Sequence, residues 1–262
     1  MSTATTTSEL GRLTTKIENL VVRIELRHPP LNVIDVPMMV ELATVLSEIE
    51  TKPNVAVVVL CGEGKAFSAG VDVAAHTPDK VEDMLAKFHR VIRSLVATKK
   101  VTIAAVHGLC LGGGAELAMV CDLVYSDDDA EWGFPEIKLS CLPPVACTAL
   151  AALVGQKKAA ELILTGRSVT GREAAEIGLA TRSVPDNHLS SAVQACVGQL
   201  LRLSPAALSL AKKACYAWDS IHFDKGLARA EKIYVEDLMK TSDAQEGIRA
   251  FLEKRAPKWT GQ

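Results

Sequence analysis

The sequence has no basic block, no acidic tail and no long apolar run. Its 262 residues carry a formal net charge of −2. That near balance leaves no electrostatic footprint for nucleic acid or an anionic membrane. No uninterrupted apolar stretch reaches the ~20 residues that a membrane span needs. The opening "MSTATTTSELGRLTTK" lacks the apolar core of a signal peptide and an arginine-rich amphipathic pattern, so a cytoplasmic protein is expected. The seven cysteines are odd in number, and no two stand in CxxC spacing. This argues against a disulfide framework or a zinc site, and leaves buried thiols and no metal as the plain expectation.

Hydrophobic residues make up 48% of the chain, enough for a sizeable core. Residues 1–15 read as a disordered tail. "NLVVRIEL" (19–26) alternates and predicts a strand, and the proline-bearing "HPPLNVID" turns after it. Residues 37–50 have helical periodicity with a proline at their start. "VAVVVLCG" (55–62) and "VTIAAVHG" (101–108) are continuous apolar strands, suited to a sheet covered on both faces. A helix is predicted over 79–97, and short strands in "DLVYSDD" and "AEWGF". Further helices are predicted in "VACTALAALVG", "KKAAELILTG" and "GREAAEIGLA". No internal repeat is visible. The layout is an α/β core over 16–204, followed by an almost wholly helical region over 205–262.

Two segments share the form strand, glycine-bearing loop, helix: "VVVLCGEGKAFSAGVDV" and "VTIAAVHGLCLGGGAELAMV". Neither loop is GxxxxGK[ST] or GxGxxG, so the nucleotide-loop readings fail on residue type. A helix start offers unpaired N–H groups, and glycine lets a ligand approach that backbone. Two such N–H groups, one per loop, would polarise a small oxyanion. Tight packing of helix against strand explains the glycines equally well. Glu116 stands in the first turn after the triple glycine, where a plain cap or surface role is also open. Glu136 follows a proline in "WGFPEIKL", among Trp132, Phe134 and Ile137. Apolar surroundings disfavour a carboxylate's charged form, which suits a general acid near neutrality. Two glutamates of this kind could handle one water between them; two unrelated glutamates fit the spacing as well.

Five blocks in series, "GEGKAFSAGVDV", "AAVHGLCLGGGAELAMVCDLVYS", "WGFPEIKL", "LILTGRSVTGREAAEIGLA" and "EGIRAFLEKRAPKW", resemble the crotonase superfamily, and within it the enoyl-CoA hydratases. The likeness runs in order over roughly residues 18–262. It implies a spiral of ββα units with a helical C-terminal region that builds homotrimers, often stacked as hexamers. It also implies an acyl-CoA thioester substrate whose coenzyme A needs no further cofactor. The oxyanion hole falls on the N–H groups of Val71 and Gly113. The two hydratase glutamates align with Glu116 and Glu136. Substrate contacts are expected around Pro29, Pro30, Ala69, Asp72, Val73, Gly112, Leu142 and Pro143.

Two stretches depart from ordinary hydratases. Where those have a glycine-rich stretch after the "PE" turn, this chain has "CLPPVACTAL"; after the first loop it reads "VDVAAHTPDKVEDML". Both resemble the branch that hydrates cyclohexa-1,5-diene-1-carbonyl-CoA. A general short-chain enoyl-CoA hydratase is the other reading, with double-bond isomerisation, decarboxylation or hydrolytic ring opening as rival chemistries. Some relatives bind RNA, but the best candidate helix, "KKAAELILTGR", is too sparsely charged. Arg27, Lys254 and Lys258 are candidates for coenzyme A phosphates or plain surface charges. His76 borders the pocket or caps locally. Ser68 is not in a GxSxG elbow. Cys110 and Cys141 read as small wall residues, and His89 as a core histidine.

Overall fold

A computed structural model of the chain describes residues 6–216 and 220–260. The chain enters through β1 (Thr6–Glu9), β2 (Leu13–Glu18) and β3 (Val21–Leu26), an antiparallel meander, then α1 (Val36–Glu50). β4 (Val57–Gly62), β5 (Ala66–Ser68) and α2 (Val81–Ala97) follow. The same order repeats as β6 (Val101–Val106), β7 (Leu109–Leu111) and α3 (Gly113–Met119). It repeats again as β8 (Leu123–Asp127) and β9 (Glu131–Gly133), with α4 (Pro144–Val154) and α5 (Gln156–Thr165). β10 (Ser168–Thr170), α6 (Gly171–Glu176) and β11 (Arg182–Val184) close the spiral.

In each turn the first strand joins one sheet and the second joins another. The large sheet runs β1-β2-β3-β4-β6-β8-β11, parallel from β3 onward; the small one runs β10-β9-β7-β5. The ββα repeat is geometric, carried by segments that share no visible sequence repeat.

Burial explains the apolar runs. Along β4, Val58 and Leu60 enter the main core beside α1 and α2, while Val57, Val59 and Cys61 join a second cluster with Val101, Ile103, Val193 and Cys196. The second cluster is roofed by α7 (Leu189–Leu200), with Leu208 of α8 (Pro205–Cys215) packed against it. A strand covered on both faces has no reason to alternate.

The reading of residues 1–15 as a disordered tail is corrected over 6–15. Thr6–Glu9 pairs with Thr14–Ile17, and Leu13 is fully buried. Residues 1–5 lie outside the described residues, as do 217–219, on which part of the expected helical region over 205–262 falls. Beyond them come α9 (Ser220–Lys232), a π-helical turn (Ile233–Asp237), a short 3-10 turn (Leu238–Lys240) and α10 (Ser242–Leu252). No helix among the described residues is long and apolar enough to cross a membrane.

Candidate active site

The first loop is held from below by the turn after β3. Asn32, 1% exposed, donates from Nδ2 to the carbonyls of Glu63 and Ala66. Ser68 donates from Oγ to the Asn32 carbonyl at 2.7 Å and accepts from the Gly70 N–H at 3.1 Å. Ser68 is therefore a brace for the loop. Ile34 donates to Gly70 O, and Asp72 donates to Ile34 O. In extended backbone successive groups alternate in direction, so the Val71 N–H between them faces away from Ile34.

That N–H faces the second loop. A β-carbon built on Gly113 would lie 3.4 Å from Val71 N and 2.6 Å from Val71 Cγ2. The two backbones sit side by side because Gly113 has no side chain. Gly113 is also the first residue of α3, so its N–H has no acceptor within the helix. Gly112 has φ +50°, and a β-carbon there would lie 2.7 Å from Glu136 Oε1. Glycine answers both demands, the left-handed backbone and the close carboxyl.

Glu116 is 3% exposed, and its Oε1 accepts the N–H groups of Val145 and Ala146 at 2.8 and 2.9 Å. Those donors are the second and third residues of α4. The Pro143 cap position supplies no side-chain bond, and Pro144 brings no N–H. Glu136 stands on a 3-10 turn, Pro135–Leu139, that ends in a left-handed Ser140. Its Oε2 is buried without a hydrogen-bond partner. Burial pushes both carboxyls above the usual range. The two N–H donors hold Glu116 partly down, whereas the nearby Glu116 charge pushes Glu136 up further. Of the two, Glu136 is pushed the higher.

Both glutamates line one cavity of roughly 370 Å³, with Ala69, Val71, Val73, Gly112, Gly113 and Leu142 among its walls. His76 lines it too; its Nδ1 lies 3.0 Å from the Asp72 carbonyl, and burial lowers its pKa. Asp72 does not line the cavity: its carboxylate accepts from the Ala74 N–H and caps the turn Val73–His76. Pro143 lies buried behind the wall, and Pro144 faces it. Pro29 and Pro30 are exposed in their turn, outside the lining. Arg27 pairs with Glu9 and Glu63. Lys254 and Lys258 are exposed, and Lys258 donates its backbone N–H to Glu246. Cys141 lines the cavity with its thiol pushed up to about 11 by burial, whereas Cys110 is buried outside it.

Sequence reasoning did not reach Met84, Leu85, Phe88, Tyr234 and Phe251 as walls, nor His89 as more than core. Met84, Leu85, Phe88 and His89 come from α2, soon after the first loop, and Tyr234 and Phe251 from the C-terminal helices, far along the chain from either loop. Tyr234 is a lone aromatic in the charged stretch "EKIYVEDLMK", the one local sign of it.

This cavity and fold define a known class. The Enoyl-CoA hydratase/isomerase family matches residues 16–262, and the chain belongs to it. It is 34% identical over 239 residues to the cyclohexa-1,5-dienecarbonyl-CoA hydratase of Thauera aromatica, covering 91% of this chain and 92% of that one. It is 35% identical over 236 residues to a probable enoyl-CoA hydratase of Mycobacterium tuberculosis, covering 89% and 91%. An enoyl-CoA hydratase structure from Mycobacterium avium subsp. paratuberculosis superposes with a TM-score of 0.87 at 26% identity, covering 96% of this chain and all of that one.

Proposed function

We propose that the protein is a hydro-lyase that adds water across the conjugated double bond of an enoyl-CoA thioester, or removes it in reverse. One observation carries this reading: a single cavity holds two buried carboxyls, one held by two N–H groups and the other with an unpartnered oxygen. The thioester oxygen sits between the N–H groups of Val71 and Gly113. As water attacks C3, charge builds on that oxygen, and a preorganised donor there is worth on the order of 3 kcal/mol. Glu116, fixed through Oε1, turns Oε2 to the water and takes its proton. Glu136, kept neutral by burial, delivers a proton to C2. The proton count returns to its start after each turnover.

The finer reading is a cyclic dienoyl substrate, with cyclohexa-1,5-diene-1-carbonyl-CoA as the candidate. The name of the Thauera relative supports it. So does the stiff Pro143–Pro144 segment at the start of α4, where Pro144 lines the cavity. Crotonyl-CoA and the cyclic dienoyl-CoA, assayed side by side by loss of enoyl absorbance with products identified by mass, decide it. Fast hydration of the diene alone supports the cyclic substrate; fast hydration of crotonyl-CoA alone makes this a general short-chain hydratase. A product with a shifted double bond or an opened ring moves the reaction to isomerisation or hydrolysis.

Assembly as a homotrimer, or as a dimer of trimers, is part of the same proposal. Leu164, Leu203, Leu210 and Trp259 are large apolar side chains exposed by about half or more, which supports burial against further copies. Light scattering on the eluting protein tests it: a monomer mass removes this part alone.

A further inference from the structure

Two polar atoms in the cavity wall lie outside this mechanism. The Tyr234 hydroxyl and His89 Nε2 are both buried; Nε2 has no hydrogen-bond partner, and the hydroxyl has none beyond the Cys141 thiol. Both residues line the same cavity as the glutamates. Leaving one such atom bare is costly, so a pair of them marks a place made for something polar.

Their surroundings are built. His89, on α2, meets Glu231 of α9 through Nδ1 at 2.6 Å, and Arg93 meets the same oxygen at 2.8 Å. The His89 bond holds the Glu231 carboxyl below its usual range. An ionised carboxylate only accepts, so Nδ1 carries a proton and Nε2 is the ring atom left without a partner. Tyr234 lies three residues after Glu231, within one turn and on the same helical face. The residue that fixes His89 and the residue that carries the hydroxyl therefore come from one stretch of chain. The π-helical turn begins between them, a local widening often found at functional sites. Burial keeps the phenol protonated. The Cys141 thiol beside it is only a weak partner.

We infer that Tyr234 and His89 form a polar subsite in the acyl pocket, and that the acyl group it takes carries a hydroxyl away from the reacting carbons. A hydroxyl both donates and accepts, so it suits His89 Nε2 and the Tyr234 hydroxyl alike. A keto oxygen only accepts, and a plain hydrocarbon satisfies neither. A carboxylate would add a further negative charge to a region that already holds the Glu116 and Glu231 carboxylates. This inference rests on reading the cavity as an acyl-thioester pocket and adds the chemical character of the acyl group.

The test uses binding, so that it does not depend on turnover. Saturated cyclohexanecarbonyl-CoA, its derivatives hydroxylated at each ring position in turn, and the corresponding ring ketones are titrated calorimetrically into the full-length protein. At least one hydroxylated thioester is expected to bind about tenfold or more tightly than the plain ring, with the matching ketone between them. In Tyr234→Phe that preference falls to within about twofold. His89→Gln, which disturbs the Glu231 contact and is checked for folding by its thermal melt, shows the same loss. Equal binding of plain and hydroxylated rings overturns the inference and leaves the hydratase reading standing. So does a preference that survives in Tyr234→Phe. Failure of every thioester to bind, with the protein folded, overturns both.

Discussion

Glu116 caps a helix that is not its own. Its Oε1 takes the Val145 N–H at 2.8 Å, across 29 residues, at the start of α4, where the cap position offers no side chain. The bond orients the carboxylate and holds the wall that carries Pro144. A residue placed this firmly can act on a water without rearranging.

Glu116→Gln and Glu136→Gln are each expected to lower kcat by about a hundredfold to ten-thousandfold. Affinity for a saturated acyl-CoA, measured calorimetrically, is expected to stay within a few-fold, since neither change alters the oxyanion donors. Wild-type turnover in both variants would remove the two-glutamate mechanism.

The pH profile of kcat/KM is expected to be a bell set by the pair. Below both apparent pKa values both carboxyls are protonated and no base remains; above both, no acid remains. Burial raises both groups, and the Glu116 charge raises Glu136 further. Both limbs are therefore expected above the ordinary carboxylate range. A rate that is flat from weakly acidic to alkaline pH would contradict the assignment.

Stability should move the other way. The folded-state pKa of Glu136 is raised. Its contribution is therefore fully present below the unfolded pKa and is lost as pH rises through the folded value. Glu136→Gln removes that penalty. Its Tm is expected to exceed that of the wild type by a few degrees at about pH 9 and to converge with it at about pH 5, as differential scanning calorimetry can measure. A gap that does not grow with pH would show that burial of Glu136 costs the fold nothing.

Gly112→Ala forces a side chain onto a φ of +50° and into Glu136 Oε1 at 2.7 Å. A loss of about 1–3 kcal/mol in stability is expected from the backbone alone, with a fall in kcat from the displaced carboxyl. Gly198→Ala is the contrast: it lies in α7 with open space where a β-carbon would stand. It is expected to be neutral or to stabilise by about 0.5–1 kcal/mol. Urea melts of the two variants check both.

The parts of the site carried by short local segments were legible in the sequence. Val71, Gly113, Glu116 and Glu136 each sit within a few residues of a recognisable loop or turn, and the cavity gathers all four. The expectation that Asp72 contacts substrate missed that its carboxylate is spent on the Ala74 N–H. Tyr234 and His89 meet the glutamates only through tertiary packing, and no spacing announces a contact across 142 residues such as His89 to Glu231. Strand β1 was hidden for a different reason. "TTSE" is wholly exposed, so it has no buried face to impose an alternation of apolar residues.

That exposed strand ends the large sheet. β1 lies against β2, which lies against β3, so the polar hairpin occupies the edge that β3 would otherwise present to solvent. It is only four residues long, of threonine, serine and glutamate, a short polar edge of the kind that disfavours pairing with a neighbouring chain. Trimming the chain to Val21 would uncover the row of N–H and C=O groups on a Val- and Ile-bearing strand. The polar hairpin over residues 6–18 thus shields an edge that would otherwise favour edge-to-edge aggregation.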